Sequence, residues 1–332
     1  MRGWKRMLGI ASLFVALGGC ALVDARATQR ERGFEATHPP SGQFIEVDGR
    51  RVHVMIEGQG PDLILLHGAS GNLRDFSFDL IDRLKGRYRV IAFDRPGLGF
   101  SDDIGAQNHS PISQAEFLRR AADQLDVRDP IVMGHSYGGA VAMAWGMRAP
   151  SDTAALVVVS GATEPWPGEL QGWYRFVGTP IGNRVGPPLM TALAPMSLGD
   201  RIMAGIFAPD AVPPGYADHI GVGLAARRAN YRNNARQITQ LRPFLRVMSQ
   251  RYADLDLPVE ILHGAEDHVV PAQVHAVPLA RDLPNANLTI LPGIGHMPQH
   301  ADPQSVVDAI DRAAIRAGLL ASLPDTPQAA RN

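Results

Sequence analysis

Residues 131–139 read Ile-Val-Met-Gly-His-Ser-Tyr-Gly-Gly, a β-branched run that enters a Gly-x-Ser-x-Gly pattern and leaves it as an alanine-rich segment. This stretch constrains the fold more than any other. A strand must end, turn sharply and continue as a helix, with Ser136 at a strained apex. The residues two before and two after the apex are crowded together, so glycine at 134 and 138 removes the side chains that would collide. Such a turn projects Ser136 Oγ into solvent at the carboxyl end of a sheet, where it is a candidate nucleophile.

The surrounding pattern supplies that sheet. Phe44 to Ile56 reads as a β-hairpin turning at Asp48-Gly49. Leu63 to Leu66 is a buried-type strand running into His67-Gly68-Ala69-Ser70-Gly71, and Phe76, Leu80, Ile81 and Leu84 then share a helical face. Tyr88 to Phe93 is a further strand, ending in Asp94-Arg95-Pro96-Gly97-Leu98-Gly99-Phe100-Ser101, and a helix follows over Gln114 to Leu125. The elbow helix ends before Pro150, and Ala155 to Val159 is another strand. Strands and helices alternating at this spacing predict an α/β fold with a mostly parallel sheet covered on both faces.

The alternation stops between Thr163 and Leu255. Apolar and aromatic residues such as Trp166, Trp173, Phe176 and Phe207 are too many there for a solvated loop, so 163–255 reads as a helical cap, with a helical period over Ala235 to Met248 broken at Pro243. Strands resume at Val259 to His263 and Leu288 to Leu291, joined by a helix over Pro271 to Ala280. A last helix spans Pro303 to Ala317. The core is thus 42–162 and 256–320, and 321–332 reads as a flexible tail.

A formal net charge of -1 gives no reason to expect nucleic acid as a partner. The single cysteine, Cys20, rules out an intramolecular disulfide and a cysteine zinc site. Its position says more. Arg2, Lys5 and Arg6 precede the apolar run Met7 to Leu17, and that run is about 11 residues, short of the roughly 20 that span a bilayer. Leu17-Gly18-Gly19-Cys20 then resembles the lipobox of bacterial lipoproteins. That resemblance implies a signal peptide over 1–19, lipidation of Cys20, and an exported protein anchored on the periplasmic or extracellular side. Several acyl chains, at ~0.8 kcal/mol per buried methylene, would hold it stably. Ordinary secretion, or an uncleaved anchor with Cys20 as a small buried hydrophobe, is the alternative. Residues 20–41 are polar and read as a tether.

A serine hydroxyl needs a base within hydrogen-bond reach, and the base needs an orienting acid. Asp267 follows the penultimate strand and His296 the last, and parallel strands bring their carboxyl ends to one sheet edge. Rivals are Glu266 or Glu164 for the acid and His300 for the base. Asp94 and His53 read as structural, and His67 and His135 as loop-holding. His263 and His268 have no assigned role.

From about Gly42 to Leu320 the chain resembles the α/β-hydrolase superfamily, in the serine-nucleophile branch that carries a helical cap. The resemblance rests on the His67-Gly68 loop, the Asp94 to Ser101 turn, the Gly134 to Gly138 elbow, the Gly264-x-x-Asp267 turn and Gly295-His296, all in the superfamily's order. It implies that Ser136, His296 and Asp267 form a catalytic triad. It also implies an oxyanion hole built from the backbone N–H groups of Tyr137 and Ala69, with Ser70 as second choice. The activity implied is hydrolysis through an acyl-enzyme, foremost of small-molecule carboxylic esters with an apolar acyl or aryl part. Serine at the elbow excludes the aspartate-nucleophile dehalogenases and soluble epoxide hydrolases. Thioesterase, amidase, lactonase, perhydrolase, carbon–carbon hydrolase and acyltransferase readings stay open, as do a non-catalytic binding protein and a tethered interaction lipoprotein. No cofactor is expected, because the sequence has neither a metal-ligand cluster nor a Gly-x-Gly-x-x-Gly after a first strand.

Overall fold

A computed structural model describes residues 2–170 and 172–321, with side chains from residue 18 onward. The tail expected at 321–332 lies, beyond its first residue, outside the described residues.

Asp48 and Gly49 both take positive φ, 52° and 70°, the backbone that a two-residue hairpin turn demands. They join β1 (Gln43–Val47) to β2 (Arg50–Glu57). β3 (Asp62–Leu66), β4 (Arg89–Phe93), β5 (Ile131–His135), β6 (Ala155–Val159), β7 (Val259–Gly264) and β8 (Ala286–Leu291) follow. All eight form one sheet in the order β1-β2-β4-β3-β5-β6-β7-β8, antiparallel at β1/β2 and β2/β4 and parallel from β4 to β8. Side chains alternate across it with period two. Ile64, Leu66, Val132 and Val158 pack on one face, while Leu63, Leu65, Met133 and Val157 pack on the other.

Helices cover both faces. In chain order they are α1 (Arg2–Thr37), α2 (Arg74–Ser77), α3 (Leu80–Leu84), α4 (Pro111–Asp123) and α5 (Tyr137–Arg148). The segment after β6 contributes α6 (Gly172–Gly178), α7 (Pro180–Leu193), α8 (Met196–Phe207), α9 (Tyr216–Ile220), α10 (Val222–Ala225) and α11 (Arg228–Met248). α12 (Ala276–Asp282), α13 (Pro298–Ala301) and α14 (Pro303–Arg316) complete the set. α4 starts three residues earlier than the apolar period suggests. Pro111 fits the first turn, and Ser110 Oγ accepts from Ser113 N at 3.2 Å. α11 runs through Pro243 where a break was expected. Proline forfeits one hydrogen bond there, but buried Leu241, Leu245 and Met248 fix the helix on both sides.

The polar stretch 20–41 departs further from expectation. It is helical to Thr37 and docked, not an extended tether. Its charges recur on one helical face, and that face meets the cap: Arg228 pairs with Asp24 and, at 2.6 Å, with Glu31, and Arg227 pairs with Glu35 at 2.7 Å. Arg26 and Arg30 donate to the carbonyls of Ala192 and Ala194, at 2.8 and 2.7 Å, at the end of α7. Ala27 is buried, and the Phe34 ring lies directly over Gly223. Composition suggested solvation; ion pairing on one face gives a helix instead.

Candidate active site

Ser136 stands between β5 and α5 with φ 54° and ψ −119°, a conformation held by its neighbours. Its N–H donates to Val159 O, and its carbonyl accepts from Gly139 N and Ala162 N. A Cβ on Gly134 would lie 2.1 Å from Gly138 O, and one on Gly138 would lie 2.0 Å from Leu66 O, so no larger residue fits either place. The side chain does not stand in open solvent as the turn alone suggests: Ser136 is 8% exposed. The His67-Gly68 loop closes over it, and a Cβ on Gly68 would fall 3.1 Å from Ser136 Cβ.

The loops after β7 and β8 bring Asp267 and His296 together. His296 Nδ1 donates to Asp267 Oδ2 at 2.7 Å, and Asp267 Oδ1 accepts from the N–H groups of Val269 and Val270 at 2.9 and 2.8 Å. Burial pushes the Asp267 carboxyl up. The hydrogen bonds from His263, His296 and Val270 outweigh it and hold the group well below the usual carboxylate range. His263, which had no assigned role, puts Nε2 3.1 Å from Asp267 Oδ2 and 2.6 Å from Val270 O, bracing the acid from behind. His296 is fixed at its backbone too, since His135 Nε2 donates to His296 O at 2.9 Å and the two rings are 4.9 Å apart. Among the described residues no hydrogen bond joins Ser136 Oγ to His296 Nε2. Catalytic contacts of this kind often tighten only when substrate binds.

The rival groups sit elsewhere. Glu266 is exposed. Glu164 donates its N–H to His275 Nδ1 at 3.0 Å, and burial and the Asp282 charge push its carboxyl up to about 7. His300 binds Asp75 at 2.7 Å, in a separate buried cluster where Tyr216 and Gln299 also donate to Asp75. Asp94 ties its own turn, accepting from Leu73 N, Phe100 N and His53 Nδ1, each at 2.7 Å.

Two backbone donors lie close to the serine, one next to it in the chain and one in the His67-Gly68 loop that closes over it. Tyr137 opens α5, where a first-turn N–H has no intrahelical partner. Ala69 N–H has no acceptor among the described residues, whereas Ser70 N–H is taken by Asn234 Oδ1 at 2.7 Å, which removes the second choice.

Arg95 holds this loop, a role that its place in the Asp94 to Ser101 turn does not reveal. Its Nε donates to His67 O at 2.7 Å and an Nη to Gly68 O at 3.0 Å. The other Nη donates to Gln114 and Gln237, both at 2.9 Å, and the guanidinium lies 4.4 Å from the centre of the Tyr137 ring. Wholly buried and, among the described residues, without a carboxylate partner, Arg95 has its pKa lowered to about 10 by burial. It also fixes His67, whose Nε2 accepts from Arg95 N at 3.0 Å while Nδ1 donates to Gly68 O. Burial and the Arg95 charge lower His67 to about 4, so the ring is neutral near pH 7.

A ladder of polar side chains on α11 clamps the same loops from above. Gln237 donates to Pro96 O, Asn233 to Gly97 O and Asn230 to Gly99 O, at 3.0 to 3.1 Å, and Asn234 also donates to Ser70 Oγ at 2.8 Å. These residues recur every three or four positions, a polar helical face that an apolar-period reading does not register.

A mostly parallel sheet with a serine elbow after its central strand and a helical insertion after the next strand defines a hydrolase of the α/β class. The chain belongs to the alpha/beta hydrolase family, whose profile matches residues 63–309, and it is an enzyme of that family. It is 28% identical over 307 residues to an uncharacterized protein of Mycobacterium tuberculosis, covering 86% of this chain and 85% of that one. Its fold is similar to that of a bacterial membrane phospholipase A, with a TM-score of 0.66 and 21% identity over 93% of this chain and 99% of that one. It is likewise similar to an esterase from Rhodococcus sp., with a TM-score of 0.65 and 21% identity over 82% of this chain and 97% of that one.

Proposed function

We propose that the protein is a carboxylic ester hydrolase working through an acyl-enzyme on Ser136, for substrates with an apolar acyl or aryl part. The observation that carries the reading is the 2.7 Å pair of His296 and Asp267, with the His296 ring 4.9 Å from that of His135, which directly precedes the glycine-flanked elbow serine. In this reading His296 takes the Ser136 proton as Oγ attacks the ester carbonyl, and Asp267 stabilises the resulting imidazolium. The N–H groups of Tyr137 and Ala69 bind the oxyanion. Collapse of the tetrahedral adduct expels the alcohol, which takes the proton from His296. Water, deprotonated by His296, then releases the carboxylic acid and restores Ser136. An esterase and a phospholipase among the structural neighbours support ester as the bond class. Replacing His296 by Ala should lower p-nitrophenyl ester turnover by roughly 10⁴-fold or more with the fold intact; a loss below tenfold would remove His296 from the reaction.

We also propose that Cys20 is the lipidated first residue of an exported, membrane-anchored protein. The basic start, the short apolar run and Leu17-Gly18-Gly19-Cys20 support it, and Cys20 is exposed. Mass spectrometry of the membrane-derived protein should find an acylated amino-terminal Cys20; an unmodified Met1 or Cys20 would overturn this.

A further inference from the structure

We propose that the outer face of helices α6 and α7 is a membrane-docking surface that lays the cap on a lipid bilayer. α7 is amphipathic in the reverse sense to an ordinary surface helix. Its buried positions are small or polar, among them Asn183, Gly186 and Thr191, while Ile181, Val185, Leu189 and Leu193 form an exposed stripe along the opposite side. The exposure is large, 74% at Ile181 and 58% at Leu193. Trp173 and Phe176, both 42% exposed, extend the stripe onto α6 and stand tilted together with centroids 5.6 Å apart. A contiguous apolar patch of this kind marks a binding surface.

Two observations make lipid the occupant. The first is where the chain enters. The hydrogen bonds of Arg26 and Arg30 fix α1 against the end of α7, and Leu22, 73% exposed, and the exposed Cys20 lie within two turns of Arg26 on the same helix. The second is charge. α6, α7 and α8 carry Arg175, Arg184 and Arg201 against one acid of their own, Asp200, and Glu169 ahead of α6, 3.8 Å from Arg175, leaves an excess of one positive charge. An apolar face with an aromatic pair and a cationic excess is the composition of an element lying in a bilayer interface. This proposal shares with lipidation of Cys20 only the end of the chain that meets the membrane, so the test is made without acylation.

The full chain carrying Cys20→Ser is mixed with phosphatidylethanolamine–phosphatidylglycerol vesicles whose acyl chains are brominated, and tryptophan emission is read. The part contributed by Trp173 is isolated by comparison with the same chain carrying Trp173→Phe. That part should be quenched about twofold or more, and Ile181→Asp with Leu189→Asp should abolish the quenching while turnover of a soluble p-nitrophenyl ester stays unchanged. Trp173 emission that bromine leaves untouched, whether or not the protein floats with the vesicles, overturns the proposal. A solution dimer that the two aspartates convert to monomer overturns it too, since it assigns the stripe to a second copy.

Discussion

The histidines around the site differ in what holds them, and that difference sets how the protein responds to pH. His67, His135 and His275 are lowered from 6.5 to about 4, foremost by burial, then by the neighbouring charges of Arg95, His296 and His263 respectively. Each stays neutral in the folded state across a range where the unfolded chain takes up a proton. Their stabilising contribution is therefore present above about 6.5 and is lost as pH falls toward 4. Glu164, raised from 4.5 to about 7, works the other way, losing its contribution as pH rises through about 7. Three histidines against one glutamate decide the sign. Chemical denaturation should give a stability that drops by several kcal/mol between about pH 6.5 and pH 4, since each proton that only the unfolded chain binds is worth roughly 1.4 kcal/mol over one pH step. A flat profile would contradict the burial of these rings. Arg95 makes a second prediction at this scale. Replacing it by Gln removes donors to His67 O and Gly68 O, so kcat should fall roughly tenfold or more while KM changes less. An unchanged kcat would show that the loop is held without it.

The strands were legible in the sequence because buried parallel strands are written as short runs of Leu, Ile and Val, and Leu63 to Leu66, Ile131 to Met133 and Ala155 to Val159 are such runs. The elements held by polar contacts were legible only in part. The apolar period over Ala235 to Met248 marks the second half of α11. Its first turns fasten the cap through Asn230, Asn233, Asn234 and Gln237, and residues 20–37 dock through Asp24, Glu31 and Glu35, where hydrophobicity gives no sign. Both left a trace in the spacing of their polar residues. Asn234 tests the clamp: in Asn234→Leu, Ser70 loses both its hydrogen bonds to that residue, and the Ser70 and Gly71 amides should exchange with solvent at least about tenfold faster, with lower kcat. Unchanged exchange would mean that α11 only rests on the loop.

At the scale of the molecule, the order of elements carried the fold, and the sites followed from it. Strand ends that lie far apart in sequence, after β5, β7 and β8, share one edge of the sheet, which brings Asp267 and His296 into contact and sets His296 against His135, the residue before Ser136. The enclosure of Ser136 was not legible, because it depends on the His67-Gly68 loop and a cap seated by buried amides. Hydrogen bonds and ion pairs thus join the core to the cap and the cap to α1. The central claim is that this enclosed serine is the nucleophile, and covalent labelling tests it most directly. A fluorophosphonate should add one adduct per chain, located at Ser136 by peptide mass spectrometry, with parallel loss of ester turnover and neither adduct nor turnover in Ser136→Ala. An adduct at another residue, or turnover persisting in Ser136→Ala, would contradict it.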